Sequence, residues 1–516
     1  MRFRFSATVL ALAVTVAAPA AAMAKDLVIG MSGTPTTLDP HQDSSAVNNA
    51  TSRHIWDSLI NLTGTSTNEP ELASKWRLID DNRWEFQLRE DVAFHDGSAF
   101  DADDVVASLL RARDKPSKSF AAYTRNIANV EKTGPHTVVV ETKTPDPLLL
   151  NSLARIRIIS ADCADAPVPD FENGKCAAGT GPFVYSSFTP GDRLVMTRND
   201  KYFAGASEWE QVTLRFMPDD GARLASLLAQ EADIIEALSS DGMARVEKDK
   251  RLQIINGQST RLMYLGVDAV NEVSPFVDAG GKNPLKDVRV RKAMLMAMNR
   301  DAIIDRVLQR NGTVADQFVA EGYLGHSSKV KHVGYDLAGA KALMAEAGYP
   351  DGFTMTLHGP QGRYVKDSEV LQAIGQMLSR IGIRTQVEVM PWSIFADKYP
   401  KRAFSGYLGS WGVNTGEVTN PAISLVATTN QEKGSGRYNG GGVSDPELDA
   451  LLDKATAMLD EDARRPILEK ISEVTFDNLW ILPLYYENTV LGAKAGLDFK
   501  PRGDKYTLAY YVTSSK

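Results

Sequence analysis

Three consecutive segments between residues 353 and 389 constrain the fold more than any others. Phe353–Leu357 reads as a short strand, Ser368–Ile381 as a helix, and Thr385–Val389 as a strand again. Strand and helix in alternation imply an open sheet covered by helices. Such sheets hold ligands at their strand ends, often in a crevice between lobes. Helices over Val288–Met298 and Asp336–Ala347 precede this unit. The first half of the chain is richer in strands, at Leu27–Ile29, Thr137–Glu141, Leu194–Met196, Val212–Phe216 and Ala232–Ile235, with a helix over Ala222–Leu228. Arg83–Arg89 alternates strictly between polar and apolar residues, as a half-buried strand does. Asp101 is placed to cap a helix carrying Val105, Val106, Leu109 and Leu110.

The first residues point to export. Arg2 and Arg4 precede an apolar run, Val9–Ala18, which ends in small residues with Ala22-Met23-Ala24 before Lys25. This is the pattern of a secretory signal peptide cleaved after Ala24. The run is shorter than the roughly 20 residues of a membrane span, and no Cys at the cleavage point suggests a lipid anchor. About 490 residues remain, too many for one core, so two or three lobes are expected. Losing the leader's two arginines takes the formal charge from −8 to −10. Without a basic run, nucleic acid and anionic lipid are poor partners. Cys163 and Cys176, the two cysteines, read as one local disulfide in an oxidising compartment. Such a bridge contributes about 3 kcal/mol by loop entropy.

Several segments resemble one family, the extracytoplasmic solute-binding proteins of peptide and nickel ABC importers. The densest likeness runs from Trp84 to Gly97 (WEFQLREDVAFHDG), followed by the helix start Ala102-Asp103-Asp104-Val105. Thr37-Leu38-Asp39-Pro40, Ile55–Leu59, Gly179–Phe183, Val288–Ala293, Asn299-Arg300, Tyr335-Asp336 and Ile481–Leu484 are similar to further family segments, in the family's order. The resemblance implies an α/β periplasmic-binding-protein-like clamshell of two lobes with an additional domain. Lobe I would comprise 25–65, 177–264 and 491–516, the extra domain 66–176, and lobe III 265–490. Crossings near Leu265 and Tyr486 would form the hinge. The expected ligand is a small peptide or peptide-like molecule. The expected partners are inner-membrane permease subunits with separate ATPase subunits, and the expected state is a monomer in the periplasm. No cofactor is implied.

Peptide-holding members of the family clamp the ligand's amine with an Asp shortly after a lobe III Trp. The matching stretch is Gly409–Glu417, with Trp411, and Asn414 stands at the Asp position. An amide brings no charge to a buried ammonium, so Glu417 becomes the candidate substitute and Thr415 a neighbouring contact. The stretch is similar to a Thr-Gly-Glu variant in glutathione-binding members. Arg363-Tyr364 offers a guanidinium for a ligand carboxylate. Thr34 and Thr36, in the Gly33–Thr36 turn, and Tyr438 complete the candidates. Each also has a plain reading: a core aromatic for Trp411, a solvated loop for Arg363 and Tyr438, an ordinary turn for the threonines.

Competing classes leave weaker marks. The seven histidines show no metal-ligand spacing, so no metal site is expected, although nickel chelates, opines, oligosaccharides and haem are carried by relatives on this scaffold. A periplasmic serine peptidase or acylase would need assembled chemistry. Ser328-x-x-Lys331 and Lys132-Thr133-Gly134 match short acylase patterns, but in reversed order. No catalytic residue is assigned, and the chain is expected not to be an enzyme. A receptor or chaperone on the same scaffold is the third class.

Overall fold

The computed structural model describes residues 25–65, 67–115, 119–413 and 415–515. The leader with its expected cleavage point, and Asn414, lie outside them.

A sheet of twelve strands runs through the molecule. Its first strand, β1 (Asp26–Met31), is apolar at Leu27, Ile29 and Met31, all at most 1% exposed, because the sheet is covered there. The chain then leaves this sheet and builds a smaller one. β2 (Ala73–Asp80), β3 (Arg83–Leu88), β4 (Ile127–Gly134) and β5 (Thr137–Thr142) pair antiparallel in the order β2–β3–β5–β4. The alternation of β3 sends Phe86 and Leu88 into a core of their own, shared with Val105 and Leu109 of helix α1 (Ala102–Asp114). Asp101 accepts the amide of Asp103, and Asp104 returns to the amide of Asp101 at 2.9 Å, so both carboxylates tie down the helix start. From the far end of α1, Arg111 forks onto Asp39 at 2.6 and 2.8 Å, fastening this unit to the loop after β1.

Cys163 and Cys176 are joined by a disulfide ahead of β6 (Phe183–Thr189). β7 (Arg193–Arg198), β8 (Gln211–Phe216) and β9 (Ile234–Ile235) return the chain to the large sheet, where β8 and β9 flank β1 in parallel. β10 (Leu252–Val267) then leaves this region, and the next 200 or so residues build a second, helix-rich region. That region contains α2 (Val288–Ala297), β11 (Phe353–Gln361), α3 (Asp367–Ser379), β12 (Ile383–Pro391), β13 (Gly406–Gly412) and α4 (Glu461–Asp477). β11 pairs in parallel with both β12 and β13, and α3 packs across the β11–β12 pair. The return strand is β14 (Ile481–Lys494).

β10 and β14 are what make one sheet of two lobes. Leu252–Gln258 pairs with 488–494 beside β9, whereas Leu262–Gly266 pairs with 481–486 beside β13. Between them, at Ser259–Arg261, the ladder loses register. Each side has its own apolar cluster, around Leu27, Phe183 and Leu214 on one side and Leu265, Leu371 and Leu482 on the other. The two lobes are therefore joined by two strands with an irregular middle. Among the described residues no helix is long and apolar enough to cross a membrane.

Candidate functional site

The carboxyl ends of parallel strands face each other from both lobes. On one side, Ser32–Thr36 follows β1 and Glu236–Asp241 follows β9. On the other, Gly362–Lys366 follows β11, Trp392 follows β12, and Trp411 lies one residue before the end of β13. A cavity of about 440 Å³ lies in this crevice, reached by Ser32 and Glu236 from one lobe, Val365 and Lys366 from the other, and Glu487 and Lys505 at the floor. Its position at strand ends between lobes is where an open α/β sheet binds solutes.

The floor is built where the β10–β14 register breaks. Arg261 leaves β10 at the broken register and lies 3.6 Å from the Glu487 carboxylate, while donating to Ser410 Oγ at 3.0 Å. Lys505 reaches the same carboxylate at 3.0 Å. Two cations thus share one anion and leave a net positive floor.

The loop after β11 is rigid for a local reason. Asp367, buried at the start of α3, accepts the amides of Gly362, Arg363 and Tyr364 at 3.2, 2.8 and 3.1 Å. This fixes Arg363 with its guanidinium 5.0 Å from the centre of the Trp392 ring. No hydrogen bond or ion pair engages that guanidinium among the described residues, so Arg363 stands at the crevice lip as a free cation. Tyr364 meets Trp392 edge-on at 6.2 Å, and burial pushes its phenol above the ordinary tyrosine value.

Trp411 and Tyr438 come together, ring centres 5.4 Å apart, and Tyr438 stacks on Tyr399 at 5.7 Å. The Trp411 indole N–H donates to Asn420 at 2.8 Å, which fixes the ring. These residues form an aromatic wall continuous with the core of their lobe. Thr34 is half-buried behind β1. Thr36 is pinned locally, its amide on Asn48 at 3.1 Å and its hydroxyl on Asp43 at 2.8 Å.

Glu417 is placed differently from the sequence expectation. Both its oxygens are taken by Arg464, at 2.5 and 2.6 Å, with Thr419 on one of them, and the side chain is 1% exposed. It closes the root of a loop and has no charge to spare for a ligand amine. Thr415 offers its carbonyl to Asn151 at 2.8 Å. The acylase patterns do not assemble: Lys331 reaches the carbonyl of Ser328 and not its hydroxyl, and Lys132 is paired with Asp103 in the smaller sheet.

Glu236 was missed by sequence reasoning. It accepts the amide and the hydroxyl of Ser32 at 2.9 and 3.0 Å, and burial raises its carboxyl above the ordinary glutamate value. The following Ala237 adopts φ +48°, a left-handed conformation rare for alanine, in the cavity wall. The strand read as Ala232–Ile235 stops one residue short of Glu236, and that is the only signal the sequence carries.

Comparison with known proteins gives a consistent picture. Residues 67–433 match the family model described as "Bacterial extracellular solute-binding proteins, family 5 Middle". The chain is 27% identical over 492 residues to the glutathione-binding protein GsiB of Salmonella paratyphi A, covering 93% of each chain. It is 26% identical over 470 residues to heme-binding protein A of Haemophilus influenzae, covering 84% of this chain and 82% of that one. The solved structure of HbpA2 from Haemophilus parasuis has the same fold, with a TM-score of 0.81 at 24% identity over 95% of this chain and 100% of that one.

Proposed function

Because this chain belongs to the bacterial extracellular solute-binding proteins, family 5, we propose that it captures a small peptide or peptide-like solute between its lobes and passes it unaltered to an ABC permease. The observation that carries this reading is the charge arrangement of the crevice. Arg261, Lys505 and Arg363 supply positive charge at floor and lip, beyond what Glu487 neutralises. Glu236 supplies a carboxylate held by Ser32 that forms no ion pair among the described residues, although the Arg223 guanidinium donates to its backbone carbonyl. A zwitterion with a free amine and a carboxylate matches both, and the Trp411–Tyr438–Tyr399 wall suits its apolar part. The likeness to a glutathione-binding protein supports the same chemistry, since glutathione is a peptide with a free amine and two carboxylates. Thr34, Thr36, Tyr364, Thr415 and Asn414 border this region in sequence and complete the proposed contacts.

In this reading residues 25–65, 177–264 and 491–516 act as one lobe and 265–490 as the other, with 66–176 as an added domain. The two hinge strands let the lobes close on the solute. The exported form is a monomer beginning after Ala24, and ATP hydrolysis belongs to a separate subunit.

The test is a melting-temperature screen on residues 25–516, unfolded and refolded to strip bound solute. The panel holds di- and tripeptides, glutathione, N-blocked peptides, opines, oligosaccharides, haem and a nickel chelate. A ligand at a hundred times its dissociation constant adds about 2.7 kcal/mol. Stabilisation by free-amine peptides or glutathione, with the ligand recovered intact by mass spectrometry, is the expected result. Response only to a sugar, opine, haem or nickel chelate sinks the peptide assignment, and recovery of a cleaved ligand sinks the transport reading.

A further inference from the structure

A buried arginine stands behind the Glu236 wall of the crevice. Arg223 lies on the helix Asp220–Leu228 and is 2% exposed. Its guanidinium donates to four backbone carbonyls in two loops. Nη1 reaches Met217 and Pro218, just after β8, at 2.6 and 2.9 Å. Nε reaches Glu236 at 3.0 Å and Nη2 reaches Ala237 at 3.4 Å, just after β9. Its ion pair among the described residues is with Asp220, 2.6 Å away, whose side chain is 65% exposed.

β8 and β9 are the neighbours of β1, one on each side and both parallel to it. The two loops therefore leave the sheet at the same edge as Ser32. A guanidinium fork can join them, whereas a lysine ammonium is a single point of charge. The join matters most at Ala237, whose φ of +48° is a conformation that alanine keeps only when its surroundings hold it. The Ala237 carbonyl on Arg223 holds the turn from one side, and the Leu238 amide on the Val490 carbonyl at 2.9 Å holds it from the other. One residue earlier, the Glu236 amide pairs with the Gly30 carbonyl at 2.9 Å, and its carboxylate takes the amide and hydroxyl of Ser32.

We propose that, with Glu236 read as the partner of the solute's amine, Arg223 is the positioning residue of that site: its fork ties the Glu236–Ala237 turn to the end of β8 and so sets the Glu236 carboxylate in the crevice wall. Arg223 is buried and acts through Glu236. Its charge has a second effect, since it opposes the rise that burial imposes on the Glu236 carboxyl. The fork fixes where the acid sits, and the charge governs the pH at which it ionises. Substitution separates the two roles.

The first measurement needs no ligand. Arg223→Gln removes the charge. The difference in unfolding free energy between proteins carrying Glu236 and Glu236→Gln is followed from acid to alkaline pH, in the native and in the Arg223→Gln background. It should level off at a higher pH, and at a larger value, in the second. Asp220, Asp241, Lys366, Glu487 and Lys505 line the same cavity and are the same in all four proteins, so their effects cancel. Identical profiles in the two backgrounds overturn the proposal.

The second measurement is calorimetric titration with glutathione and with its N-acetylated form. Arg223→Lys keeps the charge and loses the fork. It should weaken glutathione roughly tenfold to a hundredfold, as Glu236→Gln does, and leave the N-acetylated form unchanged. Adding Arg223→Lys to Glu236→Gln should bring no further loss, because the two residues act as one unit. A further loss in the double variant, or an equal loss for both ligands, overturns the proposal. Circular dichroism reports whether each variant is folded. If the Arg223 variants are not, Asp220→Asn removes one exposed anchor of the fork. It should weaken glutathione a few-fold, about the effect of an exposed ion pair, in the native background and not in Glu236→Gln, and an equal loss in both overturns the proposal. A native protein that ignores glutathione sinks the ligand reading instead, and the pH profiles alone then decide the role of Arg223.

Discussion

Glu236 and Glu417 are two carboxylates on opposite lobes, and their surroundings differ in one decisive way. Glu417 is fully buried and meets Arg464 through both oxygens. Glu236 is half-buried, accepts the amide and hydroxyl of Ser32, and has the Thr507 hydroxyl and the Arg223 guanidinium nearby, yet burial still raises its carboxyl. The first is a closed ion pair, whose value lies in not being broken. The second is an acid held in an uncomfortable place by neutral donors, which is how a site waiting for a cation looks. At the crevice floor Arg261 and Lys505 share the one carboxylate of Glu487, while Glu236 lines the opposite wall without an ion pair among the described residues.

The largest effect expected from this contrast is on stability at Glu417. Glu417→Gln leaves Arg464 buried without its anion and should cost about 3–5 kcal/mol in urea unfolding. The double replacement Glu417→Leu with Arg464→Met removes both charges and should cost less than either single change. Equal or additive losses would mean the pair is not closed in the way described.

Next in size is the effect of Glu236→Gln on binding. A hydrogen bond to a charged group contributes about 1.5–3 kcal/mol, so a free-amine peptide should bind roughly tenfold to a hundredfold more weakly. The N-acetylated form of the same peptide should bind both proteins equally. A matched loss for both peptides would place the ligand's amine elsewhere, and the contrast between the two acids would lose its functional meaning.

A smaller effect is expected at Arg363. Its guanidinium is exposed, so Arg363→Ala should weaken a ligand with a free carboxylate only a few-fold, about 1 kcal/mol or less. The loss should shrink as salt is raised and vanish for the C-terminal amide. A salt-independent loss, or one shared by the amide, would assign Arg363 to packing on Trp392 instead of to charge.

Much of the scaffold was legible in the sequence because its signals are local. The alternation in Arg83–Leu88, the cap at Asp101 and the strand–helix–strand run over 353–391 each depend on neighbours a few residues apart. The two strands that join the lobes were not legible as strands. Leu252–Val267 pairs on one side, then switches lobes through a broken register, so Asn256, Gly257 and Gln258 follow no single buried face. Arg261, Glu487 and Lys505 meet only through that switch. Glu417 resembles a ligand acid when read alone, since the arginine that neutralises it lies 47 positions away. Trp411 and Tyr438 were recognisable as candidates, but that their rings meet, and that Tyr399 extends the wall, is a fact of folding.

The smallest effect is the pH dependence of stability, and it follows from the raised carboxyl of Glu236. Because burial lifts its folded value above its unfolded one, the folded protein keeps a proton that the unfolded chain has already released in the interval between them. The associated stability is complete below the unfolded value and is lost as pH rises through the folded value. Glu236→Gln cannot lose that proton. Unfolding free energies of the two proteins, measured without ligand from acid to neutral pH, should therefore diverge in favour of the variant and then run parallel. A constant difference would mean that Glu236 is as comfortable ionised as it is in water. Adding an amine-bearing ligand should reverse the effect, since an ammonium beside Glu236 favours the carboxylate. Binding in that pH interval should then release a proton and tighten as pH rises, while the N-acetylated ligand should do neither.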